Sequence, residues 1–433
     1  MIRIIRTEEK TFEDTFQAIR NRGKAFDKDL WETVRGIVED VAIRGDEALF
    51  AFTEKFDGVS LNTQTVQASP GEIEDALARI PGDDLAVLKF AAERIERFHR
   101  KQALSSWMTS DEEGIELGQR ILPLTRIGIY APGGRAVYPS TVLMAAIPAR
   151  IAGVEDIVLT TPCKGGELNP LIAAAARVGG VNRIFKIGGA QAIAALAYGT
   201  ASVPAVDKIV GPGNAYVAMA KKMVYGQVAI DMIAGPSEVL VIADRTASAP
   251  QIAADLLAQA EHDILASAIL LTPLQSLADE VARELEKQLP GLSRSGVARQ
   301  ALSDFGALIV TGDMEEAVSI ANRFAPEHLE LMVDDYAELL KKVKNAGAVF
   351  LGGSTPEALG DYIAGPNHIL PTGGTARFSS PLGVYDFVKR TSVLCFSPEA
   401  LGRCGREAAR LAELEGFDAH ARSVTIRMTG KKP

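Results

Sequence analysis

Val239-Leu-Val-Ile-Ala243 is an unbroken apolar run; Ala249-Pro-Gln-Ile-Ala-Ala-Asp255-Leu-Leu-Ala-Gln259-Ala-Glu-His262 is Ala-rich with helical spacing; Ser267-Ala-Ile-Leu-Leu271 is apolar again. Short runs of this kind suit strands buried on both faces, and the stretch between them has the period of a helix that covers such a strand. The same texture continues in both directions. Strands are expected at Arg126–Tyr130, Asp156–Thr160, Arg183–Ile187 and Lys208–Val210 before this unit, and at Ala307–Val310 and Ala348–Leu351 after it. Helices are expected at Pro170–Val178, Ala190–Tyr198, Ala215–Tyr225, Leu277–Gln288, Met314–Phe324 and Tyr336–Asn345. Such alternation predicts an α/β protein with mostly parallel sheets covered on both faces. The fold class expected is two Rossmann-like doubly wound domains, residues 126–236 and 237–377. A gap-free match between Leu143–Pro162 and Ala254–Pro273 hints that the two are related.

Residues 1–125 read as a mainly helical surface or arm region, with amphipathic stretches at Asp27–Ile43 and Asp83–Gln102. After Phe378 the strand–helix alternation stops. A helix is expected over Glu399–Glu413, ended by Gly416 and followed by a short run Ser423–Met428. The tail, residues 378–433, is too small to bury a core alone and must dock, for instance on another subunit.

The 433 residues carry a net charge of −9, with 23% charged, 47% hydrophobic and 6% aromatic side chains. That balance is globular and gives no basic footprint for nucleic acid or an anionic membrane. It leaves phosphate-bearing cofactors open, because helix N-termini hold phosphates through backbone N–H groups. No apolar stretch has the length of a signal core or a spanning helix, so a cytoplasmic setting is expected. Cys163, Cys395 and Cys404 form no CxxC pair and read as small apolar residues rather than a metal or disulfide framework.

Chemistry concentrates around four of the five histidines; His99, on a charged helix, reads as surface. Gln259 and His262, three apart on a helix, share a face and could present two metal ligands, though an ordinary solvated face has the same spacing. Pro326-Glu327-His328 places a carboxylate beside an imidazole on a loop, either an acid–base pair or a plain turn. Gly360-Asp361-Tyr-Ile-Ala-Gly365-Pro-Asn-His368-Ile-Leu-Pro371-Thr-Gly-Gly374 is a long Gly/Pro-dense loop, too apolar for a free linker. Glu415 and His420 flank the Gly416 turn and by themselves would be read as surface. No GxGxxG follows a strand. Instead Tyr130-Ala-Pro-Gly133-Gly134, Gly188-Gly189-Ala-Gln191 and Gly211-Pro-Gly213-Asn214 follow expected strands, at the carboxyl edge where open α/β sheets bind ligands. Tight backbone geometry alone would equally explain these glycines.

Taken in order, the segments resemble the histidinol dehydrogenase family over nearly the whole chain. The likeness is carried by Ile230-Asp-Met-Ile-Ala-Gly-Pro-Ser237-Glu-Val-Leu-Val-Ile-Ala-Asp running on to His262, and by Tyr130-Ala-Pro-Gly-Gly, Tyr138-Pro-Ser-Thr141 and Gly188-Gly-Ala-Gln191-Ala-Ile-Ala-Ala. Gly211-Pro-Gly-Asn214-Ala, Pro326-Glu-His328, Gly365-Pro-Asn-His368 and Glu415-Gly with His420 complete it. The resemblance implies an NAD-dependent, zinc-containing enzyme that oxidises L-histidinol through L-histidinaldehyde to L-histidine, the last steps of histidine biosynthesis. It implies that Gln259, His262, Asp361 and His420 hold one zinc per subunit and that Glu327 and His328 are the acid–base residues. Substrate would meet Ser237, Gln259, His262, His328, Asp361, Glu415 and His420; NAD would meet Tyr130, Gln191 and Asn214. Residues 126–236 would then bind NAD and 237–377 zinc and substrate, in a homodimer whose exchanged tails complete each other's sites. The alternatives are a paralogous zinc- and NAD-dependent dehydrogenase of another diol or amino alcohol, and a non-catalytic metal-binding relative. Retention of both Glu327 and His328 argues against the second.

Overall fold

The computed structural model describes residues 2–23, 27–133 and 137–428. Gly134 of the first glycine turn lies outside the described residues. In chain order the strands are β1 (Arg3–Arg6), β2 (Trp107–Glu112), β3 (Ile115–Pro123), β4 (Arg126–Tyr130), β5 (Asp156–Thr160), β6 (Arg183–Phe185) and β7 (Lys208–Val210). They continue with β8 (Ala229–Ile230), β9 (Glu238–Ala243), β10 (Ser267–Thr272), β11 (Ala307–Val310), β12 (His328–Met332), β13 (Ala348–Leu351) and β14 (Val388–Phe396).

The chain divides into two compact units. Residues 1–102 and 125–387 form the larger one, which holds two parallel sheets. The first sheet has the order β6-β5-β4-β7-β8, the second β1-β11-β10-β9-β12-β13. With β1 set aside, both follow the order 3-2-1-4-5, that of a doubly wound sheet without its sixth strand, with a switch point between β4 and β7 in one and β9 and β12 in the other. β9 and β10 are buried end to end and apolar between their terminal residues, as unbroken runs such as Val-Leu-Val-Ile-Ala demand. The smaller unit, residues 103–124 and 388–433, has an antiparallel sheet β14-β3-β2 and the helices Pro398–Leu414 and Asp418–Met428. Among the described residues no helix is long and apolar enough to cross a membrane.

Several expectations need correction. Residues 1–102 are not a surface arm. β1 extends the second sheet by pairing with β11, and Phe16 and Ile19 are buried against that sheet. Val34, Val41 and Leu49, from the helices Lys28–Arg44 and Asp46–Asp57, belong to the core of the first. The charged faces of these helices masked a buried apolar stripe. His99 is fully buried, its Nδ1–H donating to the Ile95 carbonyl (2.8 Å) and its Nε2 facing the Asn367 amide at 3.5 Å. Residues 107–123 are two strands rather than helix, and the tail holds a third, β14, registered along β3 from Val388 opposite Pro123 to Phe396 opposite Ile115. Ser423–Met428 lies inside a helix. His328 opens a buried central strand rather than sitting on a loop, and Asp361 falls in the last turn of the short helix Glu357–Tyr362.

Candidate active site

A helix that follows a parallel strand runs back along the sheet, so its carboxyl end arrives at the amino edge of the strands. The helix Ala249–Ala260, which follows β9, thereby carries Gln259 to the amino ends of β9 and β12. His262 sits just beyond the helix, its backbone N–H bonded to the Gln259 carbonyl (3.2 Å). The same edge receives Ser237 and Glu238 at the entry of β9, Glu327 and His328 at the entry of β12, and the helix Glu357–Tyr362. Gln259, Glu327, His328, His262 and Asp361 therefore meet at the switch point of the second sheet, on the edge opposite the one usual for open α/β proteins.

Glu238 organises this cluster. Its backbone N–H donates to Glu327 Oε2 (3.0 Å), and its Oε2 accepts from the Glu327 N–H (3.3 Å). Its carbonyl accepts from His328 Nδ1 (3.0 Å). Its Oε1 pairs with Arg22 at 3.1 Å, both side chains 1% exposed. Arg22 also donates to the carbonyls of Ile19 (3.0 Å), Leu265 (2.7 Å) and Ser237 (3.2 Å). Because a carbonyl can only accept, His328 Nδ1 carries hydrogen and Nε2 is the atom left for proton transfer. That Nε2 is buried with no hydrogen-bond partner among the described residues and lies 3.7 Å from Asp361 Oδ1.

Burial raises Glu327 to about 8, with Glu238 and Glu357 adding to the shift and His328 opposing it. Burial pulls His328 down, but Glu357, Glu327 and Asp361 outweigh that and hold it well above the ordinary histidine value. Burial favours a raised Asp361, yet His328, His368 and His262 beside it keep its carboxyl below the usual range. Burial lowers His262, with Asp361 opposing, which keeps the ring neutral and its lone pair available. One ligand atom each from His262, Glu357 and Asp361 lies within 4.8 Å of the others. The Gln259 amide satisfies its surroundings in one orientation, with Nε2 donating to the Glu238 carbonyl (3.1 Å) and Glu357 Oε1 (3.2 Å). Asp361 is steadied from behind: its carbonyl accepts from His368 Nδ1 (2.9 Å), whose Nε2 meets Thr141 Oγ1 at 3.3 Å.

At the carboxyl edge of the first sheet, Tyr130 ends β4 and its hydroxyl accepts the Gly189 N–H (3.2 Å). Burial pushes that phenol up to about 12. Gln191, in the first turn of the helix Gly189–Tyr198, is buried, and its Nε2 has no partner among the described residues. Asn214 caps the helix Ala215–Val224 by accepting the Val217 N–H (3.1 Å). The Gly211 turn presses against β4, where a Cβ would stand 2.2 Å from the Tyr130 carbonyl oxygen at a φ of +112°, so only glycine fits. Buried Lys221 and Asp231 pair beneath that turn, Lys221 donating to the Gly211 carbonyl (2.9 Å) and Asp231 accepting the Gly211 N–H (2.8 Å). A cleft lined by Gly133, Thr161, Cys163, Lys164 and Asn169 opens beside the ends of β4 and β5. Burial raises the Cys163 thiol to about 12, which suits an inert residue.

Glu415 and His420 belong to the smaller unit. Glu415 caps the helix Pro398–Leu414 and His420 lies in the first turn of Asp418–Met428, both exposed. Sequence reading missed Arg22, Glu238 and Glu357. Glu238 directly follows Ser237 in the segment that carries the family resemblance, and Glu357 stands one helical turn before Asp361, a spacing that offered a signal.

Over residues 20–428 the chain matches the histidinol dehydrogenase family. Histidinol dehydrogenases of Syntrophotalea carbinolica and Geobacter sulfurreducens are each 54% identical over 428 residues, covering 99% of this chain and 99% and 100% of theirs. The crystal structure of histidinol dehydrogenase from Elizabethkingia anophelis matches with a TM-score of 0.93 at 37% identity, covering 99% of this chain and 98% of that one.

Breaking a buried ion pair from one side strands a charge. Arg22→Met should cost about 3–5 kcal/mol in denaturant unfolding, and adding Glu238→Gln should recover part of that loss by removing the orphaned carboxylate. A further loss in the double variant would show that the pair is not what stabilises this edge.

Proposed function

The chain belongs to the histidinol dehydrogenase family, oxidoreductases of histidine biosynthesis, and we propose that it oxidises L-histidinol through L-histidinaldehyde to L-histidine with NAD as acceptor and one zinc ion per subunit. The observation that carries this reading is the convergence of Gln259, His262 and Asp361 on the buried Glu327–His328 pair.

The residues fit both groups. A neutral imidazole, a carboxylate held ionised and an amide with its nitrogen tied elsewhere form a nitrogen/oxygen donor set suited to zinc, and His420 is proposed to complete it. Tyr130, Gln191 and Asn214 are proposed to contact NAD; the unpartnered, buried Gln191 Nε2 matches an acceptor supplied by a ligand. Zinc would hold the nitrogens of the substrate and offset the surrounding carboxylates, while NAD would take up the hydride of each oxidation.

The chain's own groups manage the protons. With Nδ1–H fixed on the Glu238 carbonyl, His328 Nε2 is the atom that would take the hydroxyl proton as the alcohol is oxidised, and Glu357, Glu327 and Asp361 favour the charged ring that results. The aldehyde must then add water, and Glu327, whose carboxyl burial raises to about 8, would take that water's proton in its ionised form. Both side chains are buried, and a docked tail would close the pocket that keeps the aldehyde bound. Ser237 and Glu415 are proposed to contact the substrate together with the zinc-binding residues and His328.

The tail supports a dimer. Leu411, Leu414, Phe417 and Ile426, next to Glu415 and His420, are all at least half exposed on the single chain, as expected of a surface covered by a second copy. We place the enzyme in the cytoplasm, where the free cysteines stay reduced.

Purified enzyme given limiting L-histidinol and excess NAD should form two equivalents of NADH and one of L-histidine; one equivalent, or none, would overturn the reading. Assembly is tested by complementation between His262→Asn and His420→Asn chains, each inactive alone. If tails are exchanged, refolding or co-expressing them together gives mixed dimers with one intact site, restoring about a quarter of the activity of the unsubstituted enzyme. No recovery from verified mixed dimers would show that each site is built from one chain.

A further inference from the structure

One carboxylate at the site has no part in the chemistry above. Glu357 is 3% exposed and opens the helix Glu357–Tyr362, with Asp361 one turn further on. Its placement is fixed by tertiary structure: its backbone N–H donates to Glu330 Oε1 (2.9 Å), and Glu330, in the middle of β12, is itself 1% exposed. Its own Oε1 faces the Gln259 Nε2 at 3.2 Å and lies 3.6 Å from His328 Nδ1.

An amide offers a metal either end, and the two orientations differ little in shape. A hard or borderline cation takes the oxygen, so the nitrogen must be anchored elsewhere. In Gln259 two acceptors, the Glu238 carbonyl and the Glu357 carboxylate, receive the nitrogen and turn the oxygen away from themselves; the third neighbour of that nitrogen, His328 Nδ1 at 3.3 Å, already carries hydrogen and cannot accept. With Glu357 gone, a single neutral acceptor would remain. That carbonyl is already shared with His328 Nδ1, and the amide could rotate. We propose that Glu357 is a positioning residue that anchors the Gln259 amide nitrogen and so presents the amide oxygen to zinc. This inference rests on the zinc reading above.

Glu357 also lies close enough to His262 and Asp361 to be a ligand itself, and the test separates the two roles. Zinc-free protein is titrated with zinc against a competing chelator, with circular dichroism confirming the fold. Glu357→Leu should weaken zinc binding about 10- to 100-fold, the usual effect of removing an outer partner of a ligand. Glu357→Gln, whose side-chain oxygen still accepts, should bind close to the parent. In a Gln259→Ala background Glu357→Leu should cost nothing more, because the residue acts only through that amide.

Parental affinity in Glu357→Leu would overturn the proposal. A Glu357→Gln loss equal to that of Glu357→Leu would overturn it too, making Glu357 a direct ligand. An undiminished Leu effect in the Gln259→Ala background would likewise exclude action through Gln259. If Glu357→Leu does not fold, Glu357→Asp replaces it in both backgrounds: the shortened acceptor should bind zinc more weakly than Glu357→Gln, and equal binding would overturn the proposal. A parent protein that binds no zinc would instead sink the zinc reading on which the proposal stands.

Discussion

The buried ion pair between Arg22 and Glu238 is the constraint on which the rest of the site depends. Removing two charges from water costs several kcal/mol each, and such a pair persists only where further hydrogen bonds meet its remaining demands. Here they do. Arg22 donates to four backbone carbonyls, those of Ile19, Pro236, Ser237 and Leu265, besides the carboxylate, and Glu238 engages Glu327 through both its side chain and its backbone. A residue fixed so completely becomes a template. From it the Glu327 carboxylate, the His328 ring and the Gln259 amide all take their orientation.

Arg22 reaches that position because the N-terminal segment is woven into the second sheet. β1 pairs with β11, the helix Phe12–Arg20 buries Phe12, Phe16 and Ile19, and the turn that follows delivers the guanidinium to the entry of β9. The two sheets share a strand order yet present different edges. The first offers its carboxyl edge, with Tyr130, Gln191 and the Gly211 turn, the second its amino edge, with Glu238 and His328. In the proposed reading the first sheet would hold NAD on loops after its strands, as most α/β enzymes do. The other uses helix carboxyl ends and strand entries, where backbone geometry is stiffer and buried carboxylates can be held in register.

Strand positions in the α/β core were largely legible. Arg126–Tyr130, Asp156–Thr160, Lys208–Val210, Ala307–Val310 and Ala348–Leu351 have the bounds expected, because each is a run rich in apolar or β-branched residues between turn-forming ones. β12 was hidden because His-Leu-Glu-Leu-Met alternates polar and apolar residues after a proline, although every one of the five is buried. One atom of each polar member, His328 Nδ1 and Glu330 Oε1, is met by groups far along the chain, the Glu238 carbonyl and the Glu357 backbone N–H, which no local pattern reveals. In the sheet β14-β3-β2 the pairing of β14 with β3 was hidden for the same reason, since it spans more than half the sequence, whereas β2 and β3 form a local hairpin whose polar composition concealed it. Arg22 likewise reads locally as one more surface cation. The polar residues that sequence reading singled out were recognisable by family likeness, whereas those that orient them are defined by tertiary contact.

A buried, template-fixed cluster of nitrogen and oxygen donors at the amino edge of the second sheet is the proposed metal site. Anomalous diffraction at the zinc edge from crystals of the zinc-loaded protein tests it most directly. The account predicts one anomalous peak per subunit, about 2.0–2.2 Å from a His262 ring nitrogen, an Asp361 carboxylate oxygen and the Gln259 amide oxygen. A peak elsewhere, or full catalytic activity in crystals with no anomalous density between these residues, would contradict it.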